Sequence, residues 1–244
     1  MKTVAVVQAR MGSTRLPGKN GLMLQGMPQI WHVLSRIKRA TLLDDVVLAV
    51  PYESNGGVLL EAARSLGVEA FEYCYDPSDV LGRHVMVAEI MNADAVVRIP
   101  GDNTFVDPDE IDKVVLRYKE DVNILPWKLL TTTLDTDVLG NGYPAGFGAE
   151  VYNLRFLRWL EQNVCDPEQR EHPHRWAFEK QLVYTYKAPS WLNIHENPWL
   201  PHSFSVDTPA DWEFTQRLYD ELYPTNHDFR VRDIVEFLGE QDGK

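Results

Sequence analysis

Strand-like and helix-like patterns alternate along the first 125 residues of the chain. Short β-branched or apolar runs at residues 3–8, 45–50, 69–73 and 95–99 predict strands, and a further short strand is expected at 123–125. Segments with helical periodicity lie between them, at residues 29–40, 57–66, 78–91 and 108–120. This alternation predicts an α/β fold with a mostly parallel central sheet covered by helices. Ligands on such sheets bind beyond the carboxyl ends of the strands.

The pattern changes after residue 126. Residues 127–152 are rich in Thr, Gly and Asp and indicate loop and irregular strand, and then helices are expected at 154–163, 176–182, 209–222 and 231–238, with a strand at 203–206. No internal repeat and no linker composition interrupts the chain. We therefore expect one domain over residues 1–244, elaborated at about 127–202.

Composition excludes several classes of protein. The formal net charge of −12 argues against nucleic-acid binding, which needs a basic surface. The longest apolar runs are far shorter than the roughly 20 residues of a membrane span. Two widely separated cysteines, Cys74 and Cys165, give no disulfide framework or cysteine metal site. These features predict a cytoplasmic protein that binds neither membrane nor nucleic acid.

The first part of the chain is basic and free of acidic residues. The first 43 residues contain seven basic residues and no Asp or Glu, although the whole chain is acidic. Three of them, Arg10, Arg15 and Lys19, lie in the glycine-containing loop 8–19 that follows the first strand. Small residues with charge-assisted donors suit a polyphosphate. The loop is not a Walker A motif, because Asn20 stands where Ser or Thr is required, and G-x-G-x-x-G is absent. An ordinary surface loop is the alternative.

Several motifs in the same order resemble those of one enzyme family. They are the run from Gln8 to Lys19, Asp79-Val80-Leu81-Gly82-Arg83, Arg98-Ile99-Pro100-Gly101-Asp102, Tyr143-Pro144 with Gly146 and Glu150, Arg170-Glu171-His172, and Val206-Asp207-Thr208-Pro209. The chain resembles cytidylyltransferases that make CMP-activated sugars, most closely the spore-coat polysaccharide type related to CMP-sialate and CMP-KDO synthetases. The resemblance implies a three-layer sandwich like that of nucleotide-diphospho-sugar transferases. It also implies transfer of CMP from CTP to a sugar or sugar acid with release of pyrophosphate, by a homodimer.

The resemblance assigns roles to individual residues. Lys19, Arg10 and Arg15 are expected to hold the triphosphate and stabilise its charge in the reaction. Asp102 and Asp207 are expected to hold Mg²⁺, since both follow predicted strands and lie outside the capping boxes at 107–110 and 208–211. Turn formation is the alternative for both. The expected nucleotide-binding residues are Gln8, Ala9, Arg10, Gly12, Ser13, Arg15, Lys19, Arg83 and Asp102. A solvated helix position is the alternative for Arg83.

The acceptor side is less sharply marked. The resemblance suggests Glu150, Arg170 and His172 as acceptor-binding residues, each with a structural role as the alternative. Thr104-Phe105 and Pro173-His174 depart from the usual motif sequences, which places the differences where we expect the acceptor.

Two other kinds of protein are alternatives. One is a glycosyltransferase of the same fold, which would use a D-x-D metal motif such as residues 107–109 or 135–137. The other is a non-catalytic relative, which would have lost the basic loop or an aspartate. Both features are present in this chain.

Overall fold

A computed structural model describes residues 1–52, 55–121, 129–131 and 141–243. Its strands are β1 Thr3–Gln8, β2 Met23–Leu24, β3 Met27–Pro28, β4 Asp45–Pro51, β5 Glu69–Tyr73, β6 Ala95–Pro100, β7 Leu129–Thr131, β8 Glu150–Asn153 and β9 Val183–Thr185. Within this part of the chain, seven strands form one sheet in the order β5-β4-β1-β6-β8-β7-β9, and β2 and β3 form a separate hairpin. Among the described strands of the large sheet, β8 alone runs antiparallel to its neighbours.

Helices cover both faces of the sheet. They are α1 Gln29–Ile37, α2 Gly57–Ser65, α3 Val80–Ile90, α4 Pro108–Asp121, α5 Leu154–Asn163, α6 Pro167–Glu171, α7 Pro173–Glu179, α8 Pro209–Leu222 and α9 Val231–Gln241. The side chains of β1 alternate between the faces, as a period of two requires: Ala5 and Val7 pack with α1, α2 and α4, whereas Val4 and Val6 pack with α3 and α5. A third apolar cluster joins α8 and α9 to the loops beyond the sheet.

The predicted fold class is confirmed, while two predicted elements differ. Residues 203–206 do not form a strand. Their amides instead bind two separate loops, with Phe204 N donating to Ala145 O at 2.8 Å and Val206 N donating to Asp102 O at 3.0 Å. The helix predicted at 176–182 begins at Pro173, where proline suits the first turn, and ends at Glu179. The strand predicted at 123–125 lies outside the described residues. No helix among those described is long and apolar enough to cross a membrane.

The carboxyl ends of β1 and β6 approach each other closely. Gly101 N donates to Gln8 O at 2.7 Å. A Cβ atom on Gly101 would lie 2.8 Å from that same oxygen and 2.9 Å from Ala9 Cβ. The turn after β6 therefore requires glycine, and it brings Asp102 beside the basic loop.

Candidate active site

Two adjoining clefts lie at this edge of the sheet. The first, about 230 Å³, is lined by the basic loop and the start of α3. The second, about 510 Å³, is lined by β8, α7 and the extended segment around Ser203. Taken together they fall in the range of ~300–1,000 Å³ typical of small-molecule sites. Six residues line both clefts: Gln8, Arg15, Pro100, Asp102, His172 and Asp207.

Most of the predicted nucleotide-binding residues surround the first cleft. Gly12 is not among the residues that line it, although its neighbour Ser13 is. The residues of the prediction that do line it are Gln8, Ala9, Arg10, Ser13, Arg15, Lys19, Arg83 and Asp102.

Each cation of the loop is paired with an acid from a distant segment. Arg10 Nη2 lies 2.7 Å from Glu171 Oε1, and Arg15 Nη2 lies 2.9 Å from Asp207 Oδ1. Lys19 Nζ lies 2.6 Å from Asp102 Oδ2 and 2.9 Å from Asp207 Oδ1. These pairs connect the loop to both walls of the clefts.

Lys19 is the most enclosed of the three cations. Its residue is 8% exposed, and a third donor of the ammonium reaches Val206 O at 2.8 Å. Burial lowers the pKa of Lys19, but the charges and hydrogen bonds of Asp102 and Asp207 outweigh burial, and the pKa lies above its ordinary value. The side chain is therefore a fixed positive charge at neutral pH.

The two aspartates predicted to bind metal lie together at the junction of the clefts, on either side of Lys19. Asp102 lies in the turn after β6, and Asp207 is held by the capping box of α8, in which Thr208 and Asp211 bond reciprocally. Asp211 Oδ2 also accepts from Asp207 N at 3.0 Å. Carboxylate oxygens converging on one point suit Mg²⁺, which completes its shell with water and phosphate. The described residues contain no cluster of three or more His, Cys, Asp or Glu that could enclose a metal without such help.

Arg83 is not the solvated helix residue of the alternative. It is 1% exposed, on the first turn of α3, and donates to the carbonyl of Pro77. Asp79 caps this helix by accepting from Gly82 N at 3.0 Å. The helix thus begins at the wall of the first cleft.

Arg170 lies outside the lining of both clefts. Its guanidinium binds both carboxylate oxygens of Asp79, at 3.0 and 2.8 Å, and the carbonyls of Glu161 and Val164 at 3.1 Å each. All these contacts fix the start of α3 against the segment after α5. The geometry gives Arg170 a structural role and supplies no support for its predicted contact with the acceptor.

Glu150 belongs to a buried polar network beneath the second cleft. Arg98 Nη1 lies 2.9 Å from Glu150 Oε1, and Tyr152 donates to Glu150 Oε2 at 2.8 Å. Arg98 Nε also donates to Gln8 Oε1 at 3.0 Å, which connects the network to the first cleft. Burial raises the pKa of Glu150, but the charges of Arg98 and His174 and the hydrogen bonds from Tyr152 and Arg98 together outweigh burial and hold the pKa below its ordinary value. Sequence reasoning assigned no role to Arg98, although a charged residue within an apolar strand was the available signal.

Two histidines complete the second cleft. His172 lines both clefts, and burial followed by the charge of Arg98 lowers its pKa. His174 was also missed as a site residue; its Nδ1 lies 3.3 Å from Glu150 Oε1, and burial lowers its pKa to about 4. Both rings are neutral at pH 7, so this cleft offers neutral donors and acceptors around a paired carboxylate.

The glycosyltransferase alternative would need a metal-binding D-x-D motif, and the one such motif within the described residues, at 107–109, is engaged in other contacts. Asp107 is buried, and its carboxylate accepts from Asp109 N at 2.9 Å and from Val231 N at 2.8 Å. Glu110 pairs with Lys113 at 3.3 Å, and Asp107 N donates to Phe147 O at 2.8 Å, so the first predicted capping box has only its Asp107 half. Asp135 and Asp137 lie outside the described residues.

A parallel sheet with a basic loop after its first strand and acidic residues at its carboxyl edge is an arrangement typical of nucleotide-binding enzymes. A sequence model of the family described as cytidylyltransferase matches residues 4–154, more than half of the chain. The chain belongs to the cytidylyltransferase family and is a CTP-dependent transferase of CMP.

Named relatives match over most of their length. The 3-deoxy-manno-octulosonate cytidylyltransferase of Geotalea daltonii is 31% identical over 238 residues, covering 97% of this chain and 90% of the relative. Spore coat polysaccharide biosynthesis protein SpsF of Bacillus subtilis is 24% identical over 222 residues, covering 88% and 85%. A solved cytidylyltransferase from Leptospira borgpetersenii shares the fold with a TM-score of 0.86 at 24% identity, covering 100% of this chain and 96% of that one.

Proposed function

We propose that the chain transfers CMP from CTP to a hydroxyl group of a sugar acid, with release of pyrophosphate, for surface polysaccharide synthesis. One observation carries this proposal: the loop-lined cleft and the second cleft meet at Asp102 and Asp207. A hydroxyl in the second cleft and the α-phosphorus of a nucleotide in the first would meet at that junction, as in-line transfer requires. The printed name of the Geotalea relative supports a sugar acid as the acceptor class.

The basic loop would bind the triphosphate by exchange of partners. Arg10 and Arg15 now bind Glu171 and Asp207, and phosphate oxygens offer the same charge-assisted geometry. Lys19 would add a point charge close to the reacting phosphorus. Because negative charge develops on the phosphate oxygens during transfer, such fixed cations stabilise the transition state.

Asp102 and Asp207 would hold Mg²⁺ through one or both carboxylates. The bound ion would polarise the phosphate and lower the pKa of the attacking hydroxyl. The contribution of the chain is placement: the turn at Gly101 sets Asp102, and the capping box of α8 sets Asp207.

The acceptor would lie in the second cleft. Glu150 and His172 line it, together with His174 on α7. Neutral histidines beside a paired carboxylate can bind sugar hydroxyls as donors and acceptors. Arg170 is not part of this proposal, because its guanidinium is occupied by Asp79.

A homodimer formed through residues 127–202, working in the cytoplasm, completes the proposal. The support is the group of half-buried tryptophans in that segment, Trp159, Trp176, Trp191 and Trp199, since aromatic side chains are enriched in interface cores. Sedimentation velocity at micromolar concentration tests it, and a monomer would contradict it.

The decisive experiment is a pyrophosphate-release assay of the purified chain. The four ribonucleoside triphosphates are combined with a panel of sugar acids, including 3-deoxy-manno-octulosonate, and with neutral sugars as controls. We expect release only with CTP and a sugar acid. Release that prefers UTP, or that occurs only with neutral sugars, would contradict the proposed acceptor and base.

A further inference from the structure

The ammonium of Lys19 occupies the point on which Asp102 and Asp207 converge. Its three N–H donors have three acceptors, at 2.6 Å on Asp102, 2.8 Å on Val206 O and 2.9 Å on Asp207. Because an ammonium has only three donors, none remains for another ligand. The two carboxylates are therefore already neutralised in part by a cation that belongs to the chain.

A divalent ion cannot share this position with the ammonium. Metal–oxygen distances of about 2.0–2.1 Å would bring Mg²⁺ into the space that Nζ now fills. The side chain of Lys19 is 10% exposed, so water screens the repulsion between two neighbouring cations poorly. Entry of the metal requires withdrawal of the ammonium.

A bound nucleotide would offer the ammonium of Lys19 other hydrogen-bond acceptors. Lys19 lines the first cleft, and its four-carbon stem can redirect the charge without movement of the backbone. Phosphate oxygens in that cleft are acceptors of equal charge type. Once the ammonium turns to them, both carboxylates face the space it leaves.

We propose that Lys19 is a placeholder cation, which keeps the divalent ion out of the Asp102–Asp207 site until the nucleotide binds. The inference rests on the proposed metal role of these aspartates. The nucleotide-free enzyme then binds divalent metal weakly, and nucleotide and metal enter together or in that order.

Arg15 provides a matched control. Its guanidinium also lies 2.9 Å from Asp207 Oδ1, but its side chain is 65% exposed. Removal of this charge takes a cation from one aspartate and leaves the ammonium between both.

The test is a titration of the full chain with Mn²⁺, followed by the loss of the free-ion EPR signal. Without nucleotide, we expect weak binding by wild type and by Arg15→Met, and at least tenfold tighter binding by Lys19→Met and Lys19→Gln. The added site should vanish when Asp207→Asn is combined with Lys19→Met. Adding a non-hydrolysable α,β-methylene analogue of CTP should tighten Mn²⁺ binding to wild type more than to Lys19→Met.

Equal Mn²⁺ affinity of wild type and both folded Lys19 variants would overturn the placeholder role. If neither Lys19 variant gives a cooperative melting curve, the wild-type titrations test the placeholder role. Wild-type Mn²⁺ affinities that agree within threefold with and without the analogue would overturn that role. A rise of tenfold or more with the analogue, beyond the affinity of Mn²⁺ for the free analogue, would support it. Pyrophosphate release from CTP is a separate readout, so the proposed transfer can stand when the placeholder fails.

Discussion

The Arg98 guanidinium and the Glu150 carboxylate form an ion pair at 2.9 Å beneath the second cleft, with side chains only 4% and 11% exposed. Each charge is out of water, and each depends on the other. The pair joins β6 to the antiparallel strand β8, whose register places these two residues opposite each other. It therefore fixes the only reversed strand of the described sheet beside the clefts.

Breaking this pair should destabilise the fold strongly. Glu150→Gln keeps the size of the side chain but leaves a buried charge on Arg98 without its counter-ion, which costs about 3–5 kcal/mol. The measurement is urea unfolding at pH 7. The matched control is Glu89→Gln, which breaks the half-exposed Arg158–Glu89 pair at 2.8 Å and should cost about 1 kcal/mol or less. Equal losses of unfolding free energy in the two variants would contradict the conclusion that burial makes the Arg98–Glu150 pair critical for stability.

Acid should unfold the protein through its buried histidines. Burial lowers the pKa of His84 to about 3, and that of His32 and His174 to about 4. In the unfolded chain these rings take up protons below about pH 6.5, whereas the folded chain excludes them, so stability falls as pH drops from about 6.5 towards 4. Each ring contributes up to about 1.4 kcal/mol per pH unit.

The variant His84→Leu removes one of the three buried histidines and so measures its contribution to the pH dependence of stability. His84 Nε2 is buried with no hydrogen-bond partner among the described residues, and Nδ1 bonds the helix carbonyl of Val80 at 2.8 Å. An apolar replacement of similar volume removes that single bond and should change stability at pH 7 by less than about 1.5 kcal/mol. Between pH 4 and 6, the slope of the unfolding free energy against pH gives the number of protons taken up on unfolding, and this number should fall by about one in the variant. Urea unfolding at a series of pH values measures it, and an unchanged slope would contradict the assignment.

Asp102 and Asp207 should act as a unit. Asp102→Asn and Asp207→Asn each weaken a charge-assisted bond to Lys19 at a cost of about 1.5–3 kcal/mol, and the folded state should persist. Each should lower the initial rate and raise the Mg²⁺ concentration needed for half-maximal rate. The double variant should be little worse than the worse single variant, because residues that hold one ion are not additive.

The control for this pair is Asp109→Asn, an exposed aspartate at the start of α4. It should leave the rate and the Mg²⁺ dependence unchanged. Mg²⁺ titrations of initial rate for all four variants and wild type decide the matter. If the Mg²⁺ concentration needed for half-maximal rate is unchanged in both single variants, the assignment of the metal to this site is wrong.

Gly101→Ala should disturb the junction of the clefts. The added Cβ would meet the Gln8 carbonyl at 2.8 Å, and backbone cannot yield as a flexible side chain can. We expect a loss of about 1–3 kcal/mol in stability and at least tenfold in kcat/KM, since displacement of reacting groups by about 1 Å can cost a hundredfold. Gly57→Ala, where the Cβ meets nothing within 4 Å, should change stability by no more than about 1 kcal/mol and leave the rate intact.

The alternating pattern of the first 125 residues predicted the parallel sheet because strand and helix periodicities are local properties. The basic loop was also predictable, because its cations lie close together in the sequence. Pairings across long separations were not predictable: nothing near Lys19 in sequence indicates Asp207, 188 positions away, as its partner. Residues 203–206 have strand-like composition, but their amides bind Ala145 and Asp102 on two separate loops, a choice made by tertiary structure.

Burial of single charges was equally hidden from sequence. Arg83 stands at a helix position that could face water, and only the packing of α3 against the sheet places it inside. Arg170 belongs to a motif that suggested contact with the acceptor, whereas its guanidinium binds Asp79.

The pairing of the loop cations with distant acids also sets an order of events during folding. Arg10 reaches a partner 161 positions later, and Lys19 has partners 83 and 188 positions later. During synthesis, the loop after β1 leaves the ribosome well before Glu171 and Asp207 are made. Lys19 gains Asp102 first and Arg10 gains Glu171 later, and the set of pairs is complete only when Asp207, just before α8, docks on the sheet edge. The site is thus among the last parts of the molecule to form.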